Sequence, residues 1–178
     1  KPIRCSPIFS LLHFHFKISA SMPYPHPTHQ IQEIVDKPKC LPPAGKLDLQ
    51  RSGNGGGRTF DTRPVLVDGP FVDLRYLGKA PVLDDPTSYD ASFLIANQRV
   101  RGVGYNEVGR GNFRFKRRIP KGWHLNVCDP NLATNDPGQN IHHPLREFTV
   151  SDFHDFIGQT AGMWKIDLGW EWEAELFS

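Results

Sequence analysis

Residues 91–131 read ASFLIANQRVRGVGYNEVGRGNFRFKRRIPKGWHLNVCDPN. Two apolar runs with strand-like spacing flank a Gly-rich reversal at residues 107–112, EVGRGN. Side chains alternate between faces along a strand. In the second run Phe113, Phe115 and, by the same alternation, Arg117 therefore stand against Arg114, Lys116 and Arg118 on the other face. The first run, residues 98–105, alternates in the same way. Paired with the second as a hairpin, it would add Arg99 and Arg101 to the basic face. The ribbon ends at Lys121, and Trp123 to Cys128, WHLNVC, predict one further short strand.

Outward from this ribbon the charge is uneven. Arg99, Arg101, Arg110, Arg114, Lys116, Arg117, Arg118 and Lys121 face the single acid Glu107 over residues 99–121. The last dozen residues hold Asp167, Glu171, Glu173 and Glu175 and no basic residue. The chain as a whole carries only +2, so the basic middle defines a local surface and the protein is not a general polycation. The 178 residues fit one ordinary domain, and Gly and Pro at 16 each favour turns and irregular segments over long helices.

On the N-terminal side, residues 13–18 (HFHFKI) alternate as a half-buried strand, and the apolar run around them also imitates a secretory leader poorly. Residues 21–28, SMPYPHPT, form a polyproline-like connector, and residues 29–36, HQIQEIVD, form two turns of helix stopped at Pro38. Residues 39–58 end in the flexible composition SGNGGGR. It lacks the Lys-Ser/Thr ending of a phosphate-binding loop and the GxGxxG spacing, so it reads as a linker. Strand-like runs follow on either side of Asp68-Gly69, with Pro70 making a corner of the turn. Residues 129–144 make a long Asx- and Pro-rich loop. An amphipathic helix then runs from about Thr149 or Ser151 to Trp164, with Thr149 and Asp152 at capping-box spacing and Val150, Phe153, Phe156, Ile157, Ala161 and Trp164 on one stripe.

The expected fold is α+β: a small twisted antiparallel sheet over about residues 64–127, with the C-terminal amphipathic helix packed on it. The domain occupies residues 59–178, and residues 1–58 form an irregular Pro/Gly-rich arm and linker. Three scattered cysteines, Cys5, Cys40 and Cys128, make no disulfide framework and suggest a reducing, cytoplasmic setting. No stretch has the roughly 18 apolar residues of a membrane-spanning helix, so no membrane partner is expected.

Four constellations bear on function. The basic ribbon (Arg99, Arg101, Arg114, Lys116, Arg117, Arg118, Lys121) suits successive phosphates, and aromatic neighbours can stack on unpaired bases. RNA is favoured over DNA because no Arg- or Lys-rich recognition helix is present. His124, His142 and Arg118 are the residue types that a metal-independent endoribonuclease needs: two proton carriers and a cation for the crowded phosphate. The whole idea depends on whether His124 and His142 meet. A metal set from His142, His143, Asp152, His154 and Asp155 lacks metalloprotease spacing, so no metal and no cofactor are expected. Nor is a nucleophile evident, since GxSxG is absent and nothing flanking Cys128 lowers its pKa. The alternative class is a non-enzymatic interaction module whose basic face meets an acidic protein partner.

Overall fold

The computed structural model describes residues 28–42, 47, 49–51, 57–81, 85–112, 117–128 and 140–169. The early strand or leader, the proline connector, the Gly-rich linker, Arg114, Lys116, the two Phe of the basic run, most of the Asx-rich loop and the acidic tail lie outside them. In chain order the elements are α1 (Thr28–Asp36), β1 (Lys39–Cys40), β2 (Leu49–Arg51), β3 (Arg58–Thr62), β4 (Val65–Leu66), β5 (Leu74–Ala80), β6 (Asp90–Ile95), β7 (Gln98–Asn106), β8 (Arg110–Asn112), β9 (Arg117–Ile119), β10 (Gly122–Val127), β11 (Ile141–Pro144), α2 (Phe153–Met163) and β12 (Ile166–Asp167). The fold is α+β. Its main sheet has seven strands in the order β11-β10-β7-β6-β5-β3-β2, antiparallel throughout.

The sheet is wider than residues 64–127, and it uses part of the stretch whose composition marks an arm. β2 closes one edge, and Leu47 is buried. Ile31, Ile34 and Val35 of α1 lie in the same apolar core as Phe60, Tyr76 and Phe93. Proline-rich flanks obscure this in the sequence, but three apolar side chains on one side of two helical turns are enough to anchor the segment. Lys39 then fastens α1 to the far end of the chain. Its ammonium, 1% exposed, donates to the carbonyls of Val35 (2.9 Å), Lys37 (2.7 Å) and Trp164 (2.8 Å). These are carbonyls at the C-terminal ends of both helices, which lack partners within their own helix and attract positive charge. β1 carries this contact into a three-stranded sheet of order β12-β1-β4.

α2 begins one turn later than the Thr149 spacing predicts. Asp152 is the N-cap and accepts from the Asp155 N–H at 2.8 Å, while Asp155 reaches back to the Ser151 N–H at 2.9 Å. Its carboxylates thus meet the unpaired N–H groups of the first turn. Thr149 instead offers its carbonyl to Gln159 (2.7 Å). Of the expected apolar stripe, Phe153, Phe156, Ile157, Ala161 and the C-cap Trp164 are buried, while Val150 precedes the helix and is half-buried. Phe156 stands 5.5 Å from both Tyr89 and Trp123, and Trp164 stands 5.4 Å from Tyr76 and 5.8 Å from Phe93, ring centre to ring centre. The fully buried Tyr76 hydroxyl donates to the Ile157 carbonyl (2.8 Å) and lies 2.7 Å from the Thr160 hydroxyl.

Among the described residues, the first apolar run does not pair with the basic run as the expected hairpin would. β7 pairs with β6 and β10, and β8 and β9 make a separate two-stranded ribbon. A strand between two others has its backbone paired on both edges, while its two faces can differ. β10 takes that place, with Trp123 and Leu125 packed against the apolar core and His124 and Asn126 on the other face. The cysteine reading also changes. Cys40 is disulfide-bonded, and Cys128 keeps a buried thiol. One bridge needs only two cysteines, so an odd total does not argue against it, and the inference of a reducing compartment loses its basis. Among the described residues no helix is long and apolar enough to cross a membrane.

Candidate active site

The strands β6, β7 and β10 carry the aromatic core on one face and a polar floor on the other. Period two makes this division: Ala91, Phe93, Val103 and Trp123 point one way, and Asp90, Ser92, Gly102, Gly104, His124 and Asn126 the other. The floor lies in two rows across the strands, about 7 Å apart. In the first, Lys79 is opposite Asp90 and Gly104 is opposite His124. In the second, Ser92, Gly102, Asn126 and His142 are successive partners on β6, β7, β10 and β11. Above them is a cleft of about 430 Å³ whose lining includes Lys79, Asp90, Arg99, His124, Asn126 and His142.

The two glycines make the floor low. A Cβ on Gly102 would lie 2.1 Å from Arg99 Nη2, so the guanidinium rests directly on the glycine backbone. A Cβ on Gly104 would lie 3.6 Å from Asp90 Oδ2 and 3.9 Å from His124 Cε1, so the bare backbone there leaves space between a carboxylate and an imidazole. Arg99 Nη2 stands 3.9 Å from Asp90 Oδ2.

His124 is 5% exposed and held in one tautomer. Its Nδ1–H donates to the Gly122 carbonyl at 3.2 Å, which leaves Nε2 as the acceptor, 3.5 Å from the Asn106 side-chain nitrogen. Its ring centre is 5.4 Å from that of His142. Burial, ahead of every other influence, lowers the pKa of both rings; the Gly122 carbonyl and Asp90 oppose it at His124. At His142 the neighbouring His124, Arg99, Arg117 and His143 add to burial and bring it to about 4. Burial raises the Asp90 carboxyl, against Arg99, Lys79 and His124.

Several polar atoms here have no hydrogen-bonding partner among the described residues although they are out of contact with solvent: Arg99 Nε, Asn126 Oδ1, and both ring nitrogens of His142. Each such group costs about 1–3 kcal/mol relative to a satisfied one. Groups of this kind are met by ordered water, an ion or a ligand.

The residues singled out in the sequence separate into groups. His124 and His142 meet, because β10 and β11 are neighbours with Asn126 opposite His142. Arg99 joins them. Arg101 does not: a β-bulge at Phe93/Leu94 inserts Val100 and turns Arg99 and Arg101 to opposite faces. Arg101 is 7% exposed, bonded to the Val100 carbonyl (2.8 Å) and Gln32 (2.6 Å), and closed off from solvent partners. Arg118 is exposed on β9 opposite Gly111, and Lys121 is exposed beyond it; neither lines the cleft. Arg117 is half-buried and adds to the positive field at His142. Asp90, Asn126 and the two glycines escaped sequence reading. The alternation of Gly102 and Gly104 on a strand, a signal of close approach to the backbone, could have marked the glycines; no such signal marks Asp90 or Asn126. Among the described residues no three His, Cys, Asp or Glu come together as a metal-binding group.

No protein-family model matches the chain, and no curated protein or solved structure matches it either.

Proposed function

We propose that this is a small RNA-binding protein that cleaves its substrate without a metal, with the chemistry in the Asp90–His124 cleft and the β8–β9 ribbon as an outer phosphate-contacting surface. The observation that carries the reading is the pairing across Gly104 of an imidazole with a fixed acceptor nitrogen and a carboxyl of raised pKa, with a guanidinium beside them.

His124 Nε2 removes the proton from a ribose 2′-hydroxyl, and the 2′-oxygen attacks the adjacent phosphorus. The P–O5′ bond breaks, and the protonated Asp90 carboxyl gives its proton to the departing O5′. The products are a 2′,3′-cyclic phosphate and a 5′-hydroxyl end. Arg99, resting on Gly102, meets the negative charge that grows on the phosphate oxygens. DNA has no 2′-hydroxyl and binds without being cleaved. The base works deprotonated and the acid protonated. The rate therefore follows a bell in pH, and burial shapes both of its limbs by lowering the pKa of His124 and raising that of Asp90.

The test uses labelled single-stranded RNA and the DNA of the same sequence, each with and without a chelator. RNA cleavage should resist chelation, leave cyclic phosphate ends and fall by about 10²–10⁴-fold in His124→Ala. Arg118→Ala should weaken binding and lower the salt slope by about one without changing turnover. Absence of salt-dependent binding, or undiminished cleavage in His124→Ala, overturns the reading and turns attention to an acidic protein partner.

A further inference from the structure

The second row of the floor makes a chemical demand that a phosphate cannot meet. Arg99 Nε–H is a donor, and Asn126 Oδ1 is an acceptor. His142, with a pKa of about 4, is a neutral ring at pH 7, so one of its nitrogens donates and the other accepts. Phosphate oxygens only accept from these groups. They answer Arg99 and one nitrogen of His142, and leave Asn126 Oδ1 and the other nitrogen buried without a partner. A ligand group that satisfies the row must present N–H or O–H donors beside acceptors within a few ångströms.

We infer that the Arg99–Asn126–His142 row is a recognition subsite for the hydrogen-bonding edge of a nucleobase, beside a phosphate position over Gly104. The inference rests on the RNA-cleavage reading and assigns its substrate specificity. A base edge alternates donors and acceptors on a rigid plane. The row lies about 7 Å from the Asp90–Gly104–His124 row, so one nucleotide can place its base on the first and its phosphate on the second. His142 thus acts as a contact to the base, while the proton transfers belong to His124 and Asp90. Asn140, at the entrance to β11 and 9% exposed, borders the same end of the cleft.

The experiment is a set of binding titrations on the full chain with inorganic phosphate, ribose 5-phosphate and the four nucleoside 3′-monophosphates. At least one nucleotide should bind about tenfold or more tightly than ribose 5-phosphate, the gain expected from one or two hydrogen bonds to buried partners. Asn126→Ala should bring the two together and leave the affinity for inorganic phosphate unchanged. Asn126→Asp keeps the side-chain shape and replaces the amide nitrogen with an acceptor; it should change which base is preferred, and it serves if the alanine variant melts early. Equal binding of ribose 5-phosphate and all four nucleotides overturns the inference and leaves RNA cleavage standing, since ribose hydroxyls or phosphate alone would then fill the cleft. Unaltered base preference in both variants overturns it as well. Base-selective binding without any RNA cleavage supports the subsite and removes the cleavage reading instead.

Discussion

The two faces of the seven-stranded sheet are built from the same strands and follow opposite rules. On the helix side, the polar groups of Tyr76 and Thr160 are paired, and Trp164, Phe93, Phe153 and Phe156 fill the space between strands and helix. On the cleft side, glycines replace bulk at Gly102 and Gly104, two histidines sit neutral, and four buried polar atoms lack partners. The first face is closed apart from the Trp164 indole N–H, which is buried without a partner among the described residues. On the second, such unpartnered groups gather around one cleft. One strand can serve both because its side chains alternate: in β10, Trp123 packs 5.5 Å from Phe156 while His124, the next residue, faces the cleft.

The sharpest way to break the contrast is to damage one face and leave the other intact. Trp164→Ala removes a ring buried among Tyr76 and Phe93 and should cost about 3–5 kcal/mol of stability. Thermal unfolding should show a fall of roughly 6–20 °C. At temperatures where the variant remains folded, phosphate affinity should be close to that of the parent. A loss of phosphate binding in proportion to the loss of stability would show that the faces are not separable.

Acid separates them next. His142 binds a proton at about pH 4 in the folded protein, against 6.5 when unfolded. Between those values the unfolded chain holds more protons, so stability is lost as pH falls from about 6.5 to 4. Urea unfolding at pH 7, 5.5 and 4.5 should trace that loss, and His142→Gln should flatten it. Bound phosphate should shrink the loss, because an anion beside the ring favours its charged form. An equal slope in His142→Gln would place the acid sensitivity elsewhere.

The smallest effect tests the floor. In Gly102→Ala the added methyl collides with the Arg99 guanidinium, which is the far end of a flexible side chain and can swing away. The melting temperature should move by no more than about 2 °C, while phosphate binds about tenfold more weakly because the cation has left its place. Unchanged affinity would remove Arg99 from the site.

Much of the helix side was legible in the sequence. The stripe from Phe153 to Trp164 and the Ile31, Ile34, Val35 cluster follow helical periodicity, and Pro38 stops α1 where expected. The cleft side was half legible. His124 and His142 stood out as residue types, but they are brought together by a pairing across the Asx-rich loop, and the sequence between them contains no trace of it. The neighbour of β7 was misread because local alternation is the same for a basic run and for β10; β10 takes the place with Trp123 and Leu125 packed against the core. Arg101 was misplaced by one inserted residue, Val100, which no pattern announces.

By itself, then, the amino-acid order determined the α+β class, both helices and the pool of cationic and imidazole side chains from which a site could be made. These depend on periodicity and capping, which act over a few residues. Strand order, the bulge that separates Arg99 from Arg101, and the meeting of Asp90 with His124 over Gly104 were decided only in the tertiary structure. They depend on which segments can share a buried interior, a competition among residues far apart in the chain that no local pattern records.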